Sequence, residues 1–140
     1  MTVIQPHHLD IPILIADTDA AEAARMEGML RTVGHRHIRT TGDLREVTGL
    51  HRKWPFGLLI IHVADAEALQ TIASTKDAIT PHAPAILAVL DNDDRSARDR
   101  VLSVGARDFI TRPHSWPELT SRVRNMLDIW HLESERAQTL

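Results

Sequence analysis

Acidic, imidazole and guanidinium side chains stand at the ends of short apolar runs in this sequence. Asp17 and Asp19 come after the run IPILIA, and His62 ends the run GLLIIH. Arg112 follows DFIT. Carboxylate and imidazole groups together can bind a transition metal or exchange a proton, and a guanidinium can hold an anion or pair with a carboxylate. If the fold brings these side chains together, they form one polar site.

Several kinds of site are excluded by what the sequence lacks. It contains no Cys, which rules out disulfides, thiolate metal ligands and thiol nucleophiles. It also has no Gly-rich phosphate loop, no Ser-centred nucleophile elbow and no His-Glu-x-x-His motif. We assign no catalytic residue and expect a protein that is not an enzyme.

The elements that must position these side chains follow from hydrophobic patterning. The runs at residues 11–16, 57–63 and 85–90 are short and continuously apolar, as is typical of strands buried on both faces. A weaker strand is predicted at residues 35–40, and a fifth strand at residues 108–111. Apolar residues at helical spacing follow each strand, and Gly34 and Gly105 stand where helix C-terminal caps belong.

Five strands alternating with five helices predict a doubly wound α/β domain, a five-stranded parallel sheet covered on both faces. Function in such a sheet lies at the carboxyl ends of the strands. This rule brings together residues 17–19, His62, the end of the fourth strand and Arg112. At the end of the fourth strand, the residue that lines the crevice is either Val89 or Leu90.

Length and composition indicate one soluble globular domain. The chain has 140 residues, 43% hydrophobic and 25% charged, with a net charge of −3 and no basic face for nucleic acid. Its apolar runs are shorter than the roughly 20 residues that span a bilayer. We expect a cytoplasmic protein without a membrane segment. Residues 1–140 form a single domain in this interpretation, with a core at about 11–130 and a polar helical extension or connector at 131–140.

Three stretches carry a resemblance to a known family: ILIADTDA, GLLIIHV and VGARDFITRPHSWPELTSRVRNML. In their order and spacing they resemble the receiver domain of two-component response regulators, a CheY-like, flavodoxin-like fold, over nearly all of residues 11–130. In that family an acidic pair after the first strand holds Mg²⁺, and an Asp ending the third strand accepts a phosphoryl group from a histidine kinase. A Ser or Thr ends the fourth strand, and Lys-Pro ends the fifth.

The resemblance implies a degenerate phosphoacceptor site. Asp17 occupies the first acidic position, whereas Thr18 stands at the second and Asp19 is a shifted substitute. Asp17 and Asp19 therefore give at most a weak Mg²⁺ site, and we expect no obligatory cofactor. His62 stands where the family has its acceptor Asp.

The remaining family positions are kept only in part. Val89 and Leu90, the candidates for the hydroxyl position, both lack a hydroxyl. Arg112 replaces the Lys, which keeps the positive charge on a planar group that favours carboxylate partners. Phe109 keeps the position of an aromatic residue that changes rotamer in the family.

His62 has several interpretations. It could be a phosphorylatable imidazole, a metal ligand with Asp17 and Asp19, or a pH-sensitive switch. A mixed site of this kind would favour zinc or another transition metal over Mg²⁺. We favour a structural histidine, or an imidazolium that pairs with Asp17 and replaces the charge of a bound magnesium ion.

The other polar residues also have structural interpretations. Asp19 and Glu22 have the spacing of a capping box, so Asp19 is more simply a helix cap than a metal ligand. Arg112 could bind an anion, but a salt bridge to Asp17 is simpler. The acidic turn at residues 91–94 is expected to cap the fourth helix rather than to bind a cation.

Histidine and tryptophan residues outside this site are expected to be structural. A surface position is expected for His7, His8, His35 and His37. Trp116 and Trp130 could anchor a partner on the last helix, but the helical spacing of Trp130 favours the core.

The sequence thus predicts a receiver-like signalling domain that lacks the acceptor Asp and acts by phosphorylation-independent protein contact or dimerisation. In the family, such contacts use the surface of the fourth helix, fifth strand and fifth helix. Here that surface includes Phe109, His114, Trp116 and residues 122–130. The expected partner is a signalling protein, an output domain or a second copy of the chain.

Two alternatives remain open. The first is a phosphoreceiver that uses Asp19, Asp65 or His62 as its acceptor, although Asp65 lies three residues beyond the strand end. The second is a small metal-dependent enzyme on the same scaffold, with a metal at Asp17 and His62.

Overall fold

The computed structural model describes residues 6–77 and 82–139, and in them five strands alternate with five α-helices. The strands are β1 (Ile13–Ala16), β2 (Ile38–Thr41), β3 (Leu58–His62), β4 (Ala85–Leu90) and β5 (Asp108–Thr111). The helices are α1 (Ala20–Thr32), α2 (Val47–Lys53), α3 (Ala66–Lys76), α4 (Arg95–Val104) and α5 (Trp116–Thr139). A 3₁₀ segment, here called the N-terminal turn (Pro6–Asp10), precedes β1, and a second (Leu44–Glu46) precedes α2.

The sheet is parallel throughout, with the strand order β2-β1-β3-β4-β5. This confirms the predicted doubly wound sheet, and the order is that of flavodoxin-like folds. His62 pairs in register with Val89, and Leu90 pairs with Thr111. The residues that follow the strands therefore lie along one edge of the sheet.

Both faces of the sheet are buried, which explains why the strands are continuously apolar. Ile15 of β1 belongs to a core cluster that includes Met26 of α1 and Val123 of α5. Its neighbour Leu14 faces the opposite side, in a cluster that includes Val101 of α4. Successive strand residues thus hold α1 and α5 on one face and α2, α3 and α4 on the other.

The strand boundaries agree with the predictions at β4 and β5 and differ elsewhere. β1 begins at Ile13 rather than at residue 11, because Pro12 has no N–H to donate to a neighbouring strand. The carbonyl oxygen of Pro12 still accepts from Gly57 N at 2.9 Å. β3 is one residue shorter at each end than residues 57–63.

β2 begins later than the predicted residue 35, because the end of α1 uses that segment for its cap. His35 N donates to Leu30 O at 3.0 Å and Gly34 N donates to Arg31 O at 3.0 Å. Gly34 has φ +109°, as the Schellman motif requires. The cap delays the extended backbone until Ile38.

The surface positions predicted for the histidines are wrong for two of them. His8 and His35 are both only 2% exposed, whereas His37 is exposed. His8 belongs to the N-terminal turn, which contacts α5 through Asp128 and the segment around His35 through Arg36. The sequence pattern gives no sign of this turn. The side chain of His7 lies outside the described part of the chain.

α5 is a continuous helix of 24 residues that includes the predicted extension up to Thr139. Trp116 and Trp130 are partly buried against the core cluster shared with α1, in keeping with the core interpretation of Trp130. In the described ranges, no helix combines the length and the apolar character needed to cross a membrane.

Trp130 also packs close to Gly57, the residue before β3, which leads to a prediction. A Cβ atom built on Gly57 would lie 2.5 Å from Ile11 Cγ2 and 3.0 Å from Trp130 Cδ2. We expect Gly57→Ala to lower the free energy of unfolding by about 1–2 kcal/mol through overpacking, measured by urea denaturation.

Gly28→Ala is the matched control, because nothing lies within 4 Å of a Cβ at this position on α1. It should stabilise the protein by about 0.5–1 kcal/mol through helix propensity. Equal effects of the two substitutions would contradict the packing argument.

Candidate functional site

Polar side chains from four strands meet at the carboxyl edge of the sheet. Asp17 directly follows β1, His62 ends β3, Asp91 directly follows β4 and Arg112 directly follows β5. Parallel strands place their carboxyl ends together, so these residues share one crevice despite their separation in sequence. Asp17, His62 and Arg112 lie in the crevice where the strand-end rule places them.

Asp17 is the buried centre of this crevice, with 1% of its surface exposed. Arg112 Nη2 donates to Asp17 Oδ2 at 2.6 Å, and the Asp19 amide donates to Asp17 Oδ1 at 2.9 Å. The expected salt bridge between Arg112 and Asp17 is therefore present. It uses one arm of the guanidinium, while Arg112 Nε lies 3.7 Å from Glu22 Oε2.

His62 bridges the crevice to the loop after β4. Its Nε2 lies 2.8 Å and 2.9 Å from the two carboxylate oxygens of Asp91, and its side chain is 12% exposed. Because a carboxylate only accepts hydrogen bonds, Nε2 carries the proton in this contact. His62 Nδ1 lies 3.7 Å from Asp17 Oδ1, which is too long for a direct hydrogen bond.

Asp91 is therefore the principal partner of His62, and the sequence interpretation missed it. It assigned the whole acidic turn at residues 91–94 to capping α4. In the structure, Asp91 contacts His62 and Asp94 caps the helix. Asp94 Oδ1 accepts from Ser96 N at 2.9 Å and caps α4 as predicted. The strand-end rule could have identified Asp91, because it directly follows β4.

The pairing of His62 with Asp91 predicts how the loop after β4 responds to substitution. Asp91→Ala should cost less than about 1 kcal/mol of stability, because the Asp91 side chain is 54% exposed. The loop should nevertheless become more mobile, which would be visible as a lower order parameter for the Asn92 amide in ¹⁵N relaxation. Asp93→Ala is the control, since the Asp93 carboxylate lies 3.5 Å from Arg98 instead. If both substitutions increased the mobility of the loop equally, the inference that the contact between His62 and Asp91 restrains the loop would be wrong.

Asp19 serves as the cap of α1. Its Oδ1 accepts from Ala21 N at 3.0 Å and from Glu22 N at 3.3 Å. Asp17 meanwhile faces a guanidinium and a backbone donor, so this arrangement of Asp17 and Asp19 does not fit a magnesium site. Within residues 6–77 and 82–139, no group of three or more His, Cys, Asp or Glu side chains is placed to hold a metal ion.

Val89 and Leu90, the two candidates for the lost hydroxyl position, face opposite sides of the sheet. Val89 is fully buried in the cluster shared with α1 and α5. Leu90 is 2% exposed and belongs to the cluster that includes Val101 of α4. Leu90 and Asp91 also line a cavity of about 240 Å³ between the loops that follow β3 and β4.

The remaining candidates lie around the crevice. Phe109 is half-buried against the α4 side of the core, and the Arg98 guanidinium carbon lies 5.8 Å from the centre of its ring. His114 and Trp116 contact each other edge to face, with ring centres 5.5 Å apart. Asp65 caps α3 by accepting from Ala68 N at 3.2 Å.

Comparisons of whole structures identify proteins of the same architecture. A two-component system response regulator/GGDEF domain protein matches with a TM-score of 0.79 and 21% identity, over 89% of this chain and 52% of its own. NtrX from Brucella abortus matches with a TM-score of 0.82 and 18% identity, over 93% of this chain and 29% of its own. A response regulator from Thermotoga maritima matches with a TM-score of 0.76 and 16% identity, over 85% of this chain and 98% of its own.

Comparisons of sequence give no further assignment, because no family model and no curated protein matches the chain. The chain spans about half the length of the first of these neighbours and less than a third of the second. The agreement lies in three-dimensional structure over most of this chain. The protein therefore has the fold of the response regulator receiver domains.

Proposed function

We propose that this chain is a receiver-like signalling domain that lacks the acceptor aspartate and works by protein contact without being phosphorylated. The observation that carries this proposal is His62 at the end of β3, with its Nε2 held by Asp91 at 2.8 Å. In the receiver domains that the chain resembles, an aspartate at this position accepts the phosphoryl group. Imidazole cannot form the acyl phosphate of that reaction.

The charges of the crevice support the same proposal. Phosphoryl transfer requires a cation that is free to neutralise the developing charge on the phosphoryl oxygens. Here Arg112 is bound to Asp17 at 2.6 Å, and His62 is bound to Asp91. The crevice therefore balances carboxylates against cationic or proton-donating side chains from the chain itself.

The contact between His62 and Asp91 gives the crevice a second role in this proposal. It ties β3 to the loop that leads into α4, without a ligand. In the receiver family, a hydroxyl at the end of the fourth strand follows the phosphoryl group during activation. We infer that this contact favours one position of the loop, and of α4, without any phosphoryl group.

The proposed contact surface consists of α4, β5 and α5. It carries Leu102, which is 43% exposed on α4, together with the half-buried Phe109 and the ion pair of Arg122 with Asp108 at 2.8 Å. His114, Trp116 and residues 122–130 complete it. A signalling protein, an output domain or a second copy of the chain would bind there. One structural neighbour combines a response regulator with a GGDEF domain, which supports the output-domain class.

Incubation with acetyl phosphate and Mg²⁺, followed by intact mass spectrometry, tests the proposal. We expect no gain of a phosphoryl group under conditions that modify an active receiver domain run in parallel. Stoichiometric modification would overturn the proposal, and peptide mapping would then show which alternative acceptor is used. An adduct at Asp19 or Asp65 would be an acyl phosphate. An adduct lost in His62→Ala, acid-labile and stable to base, would identify phosphohistidine.

The metal-enzyme alternative is tested by thermal unfolding with added Zn²⁺ or Mg²⁺. The proposal expects the Tm to be insensitive to either ion at micromolar to millimolar concentration. A rise in Tm that disappears in both Asp17→Asn and His62→Ala would instead support a metal site at this crevice.

A further inference from the structure

His35 is a buried histidine at the edge of the sheet opposite to the Asp17 crevice, between α1 and β2. His35 is only 2% exposed, and neither ring nitrogen has a hydrogen-bond partner among the described residues. Burial lowers the pKa of His35 below its ordinary value, and the nearby His8 lowers it further. Burial in the folded protein therefore favours the neutral form of the His35 imidazole.

The N-terminal turn packs beside this imidazole and contacts the residues on either side of it. Leu9 O accepts from Arg36 N at 3.0 Å, and Asp10 Oδ1 accepts from Arg36 Nε at 2.7 Å. On the other side of His35, the space beside Gly34 is filled by Leu9, whose Cδ1 would lie 3.3 Å from an added Cβ. The turn thus contacts the residues on both sides of the buried His35.

The same turn contacts α5. His8 Nδ1 lies 3.2 Å from Asp128 Oδ1, and the rings of His8 and His131 meet edge to face with their centres 5.5 Å apart. The turn therefore connects the segment between α1 and β2 to the second half of α5.

We propose that the N-terminal turn is a pH-sensitive clasp between residues 34–36 and α5, and that protonation of His35 opens it. A buried imidazolium at His35 has no compensating partner among the described residues, whereas in this proposal displacement of the turn exposes it to water. Opening also removes His8 from Asp128, so the proton at His35 changes how α5 is held.

The charged groups around His35 do not offset its protonation. On the turn, Asp10 is bound to Arg36 and lies 3.8 Å from His37 Nε2. On α1, Arg31 donates to Arg36 O at 3.1 Å and to Glu27 Oε2 at 2.9 Å. On α5, Asp128 is paired with His8, and His131 lies 2.9 Å from Glu135. The nearby carboxylates are therefore engaged with other cations or histidines.

Linkage sets the direction and the size of the effect. A histidine whose pKa is lowered in the closed state binds its proton more readily in the open state, so opening becomes easier as the pH falls below the ordinary pKa of about 6.5. If the closed state stays neutral, the opening constant rises about tenfold between pH 7.5 and pH 5.5. The clasp keeps its full stability above this window and becomes less stable as the pH falls through it.

Amide hydrogen exchange measured by NMR tests the proposal on the whole chain. The Arg36 amide, which donates to Leu9 O, reports on the clasp, and the Ile60 amide in the centre of the sheet reports on global unfolding. After correction for intrinsic exchange, we expect the opening constant at Arg36 to rise about tenfold from pH 7.5 to pH 5.5. The Ile60 amide should remain far better protected than the Arg36 amide over the same range.

Substitutions separate His35 from other histidines. His35→Leu should abolish the pH dependence at Arg36. His51→Leu should leave it unchanged, although burial lowers the pKa of His51 as well, because His51 lies on α2. A pH-independent opening constant at Arg36 in the unmodified protein would overturn the proposal, and so would an unchanged pH dependence in His35→Leu. The first result needs no variant, so the test stands even if His35→Leu fails to fold.

Discussion

Replacement of Arg112 by methionine is expected to lower the free energy of unfolding by about 3–5 kcal/mol, the range found when one partner of a buried ion pair is removed. The Asp17 side chain is fully buried, and Arg112 Nη2 is its charged donor at 2.6 Å. Methionine fills much of the arginine volume, so the loss reflects the unpaired carboxylate more than a cavity. Urea denaturation at neutral pH measures it.

Two further variants make this result specific to the buried pair. The double variant Asp17→Asn with Arg112→Met should recover much of the lost stability, because no buried charge then stands alone. Arg45→Met should cost less than about 1 kcal/mol, since the Arg45 side chain is 82% exposed in its pair with Asp43. If Arg112→Met costs no more than Arg45→Met, the account of the crevice is wrong.

His62→Asp is expected to make the stability of the protein depend on Mg²⁺. The new carboxylate would stand close to Asp91 and Asp17, which now lie 2.8 Å and 3.7 Å from the imidazole nitrogens. Repulsion among the three carboxylates should cost about 3 kcal/mol without a metal. Three oxygen ligands suit Mg²⁺, so a concentration of Mg²⁺ ten times its Kd should restore about 1.4 kcal/mol.

Thermal unfolding with and without Mg²⁺ checks this expectation. His62→Asn is the control, because it removes the imidazole without adding a charge and should not respond to Mg²⁺. The unmodified protein should not respond either, since His62 stands in place of the third carboxylate and its Nε2 donates to Asp91. A response of the unmodified protein equal to that of His62→Asp would contradict the balance of charges proposed for the crevice.

The fold could be predicted because its elements are encoded locally. The run at β4 is apolar at every position, since both faces of the sheet are covered, and its predicted bounds agree with the structure. β2 was placed too early because His35 and its neighbours cap α1 instead of extending. Burial of His8 was not predicted, because it depends on a turn that packs against the distant α5 and has no periodic pattern.

The sequence predicts which of these residues share the candidate site, but not which side chains contact each other there. The strand-end rule identifies Asp17, His62 and Arg112, since it follows from the parallel topology alone. Which carboxylate His62 contacts depends on the rotamer of its side chain and on the path of the loop after β4. Residue spacing gives no information on the rotamer or on the loop path. The sequence therefore predicts Asp17 as the partner of His62, whereas the structure has Asp91 in this role.

Strand order also determines which parts of this chain could join another molecule edge to edge. The apolar segments LLIIH of β3 and AILAVL of β4 occupy interior positions, and the sheet ends in the four-residue strands β2 and β5. Short edge strands with charged side chains resist intermolecular pairing. Arg39 provides such a charge on β2, and Asp108 provides one on β5. The segments with the composition of amyloid-forming peptides are thus shielded, and aggregation through β4 would first require β5 to detach.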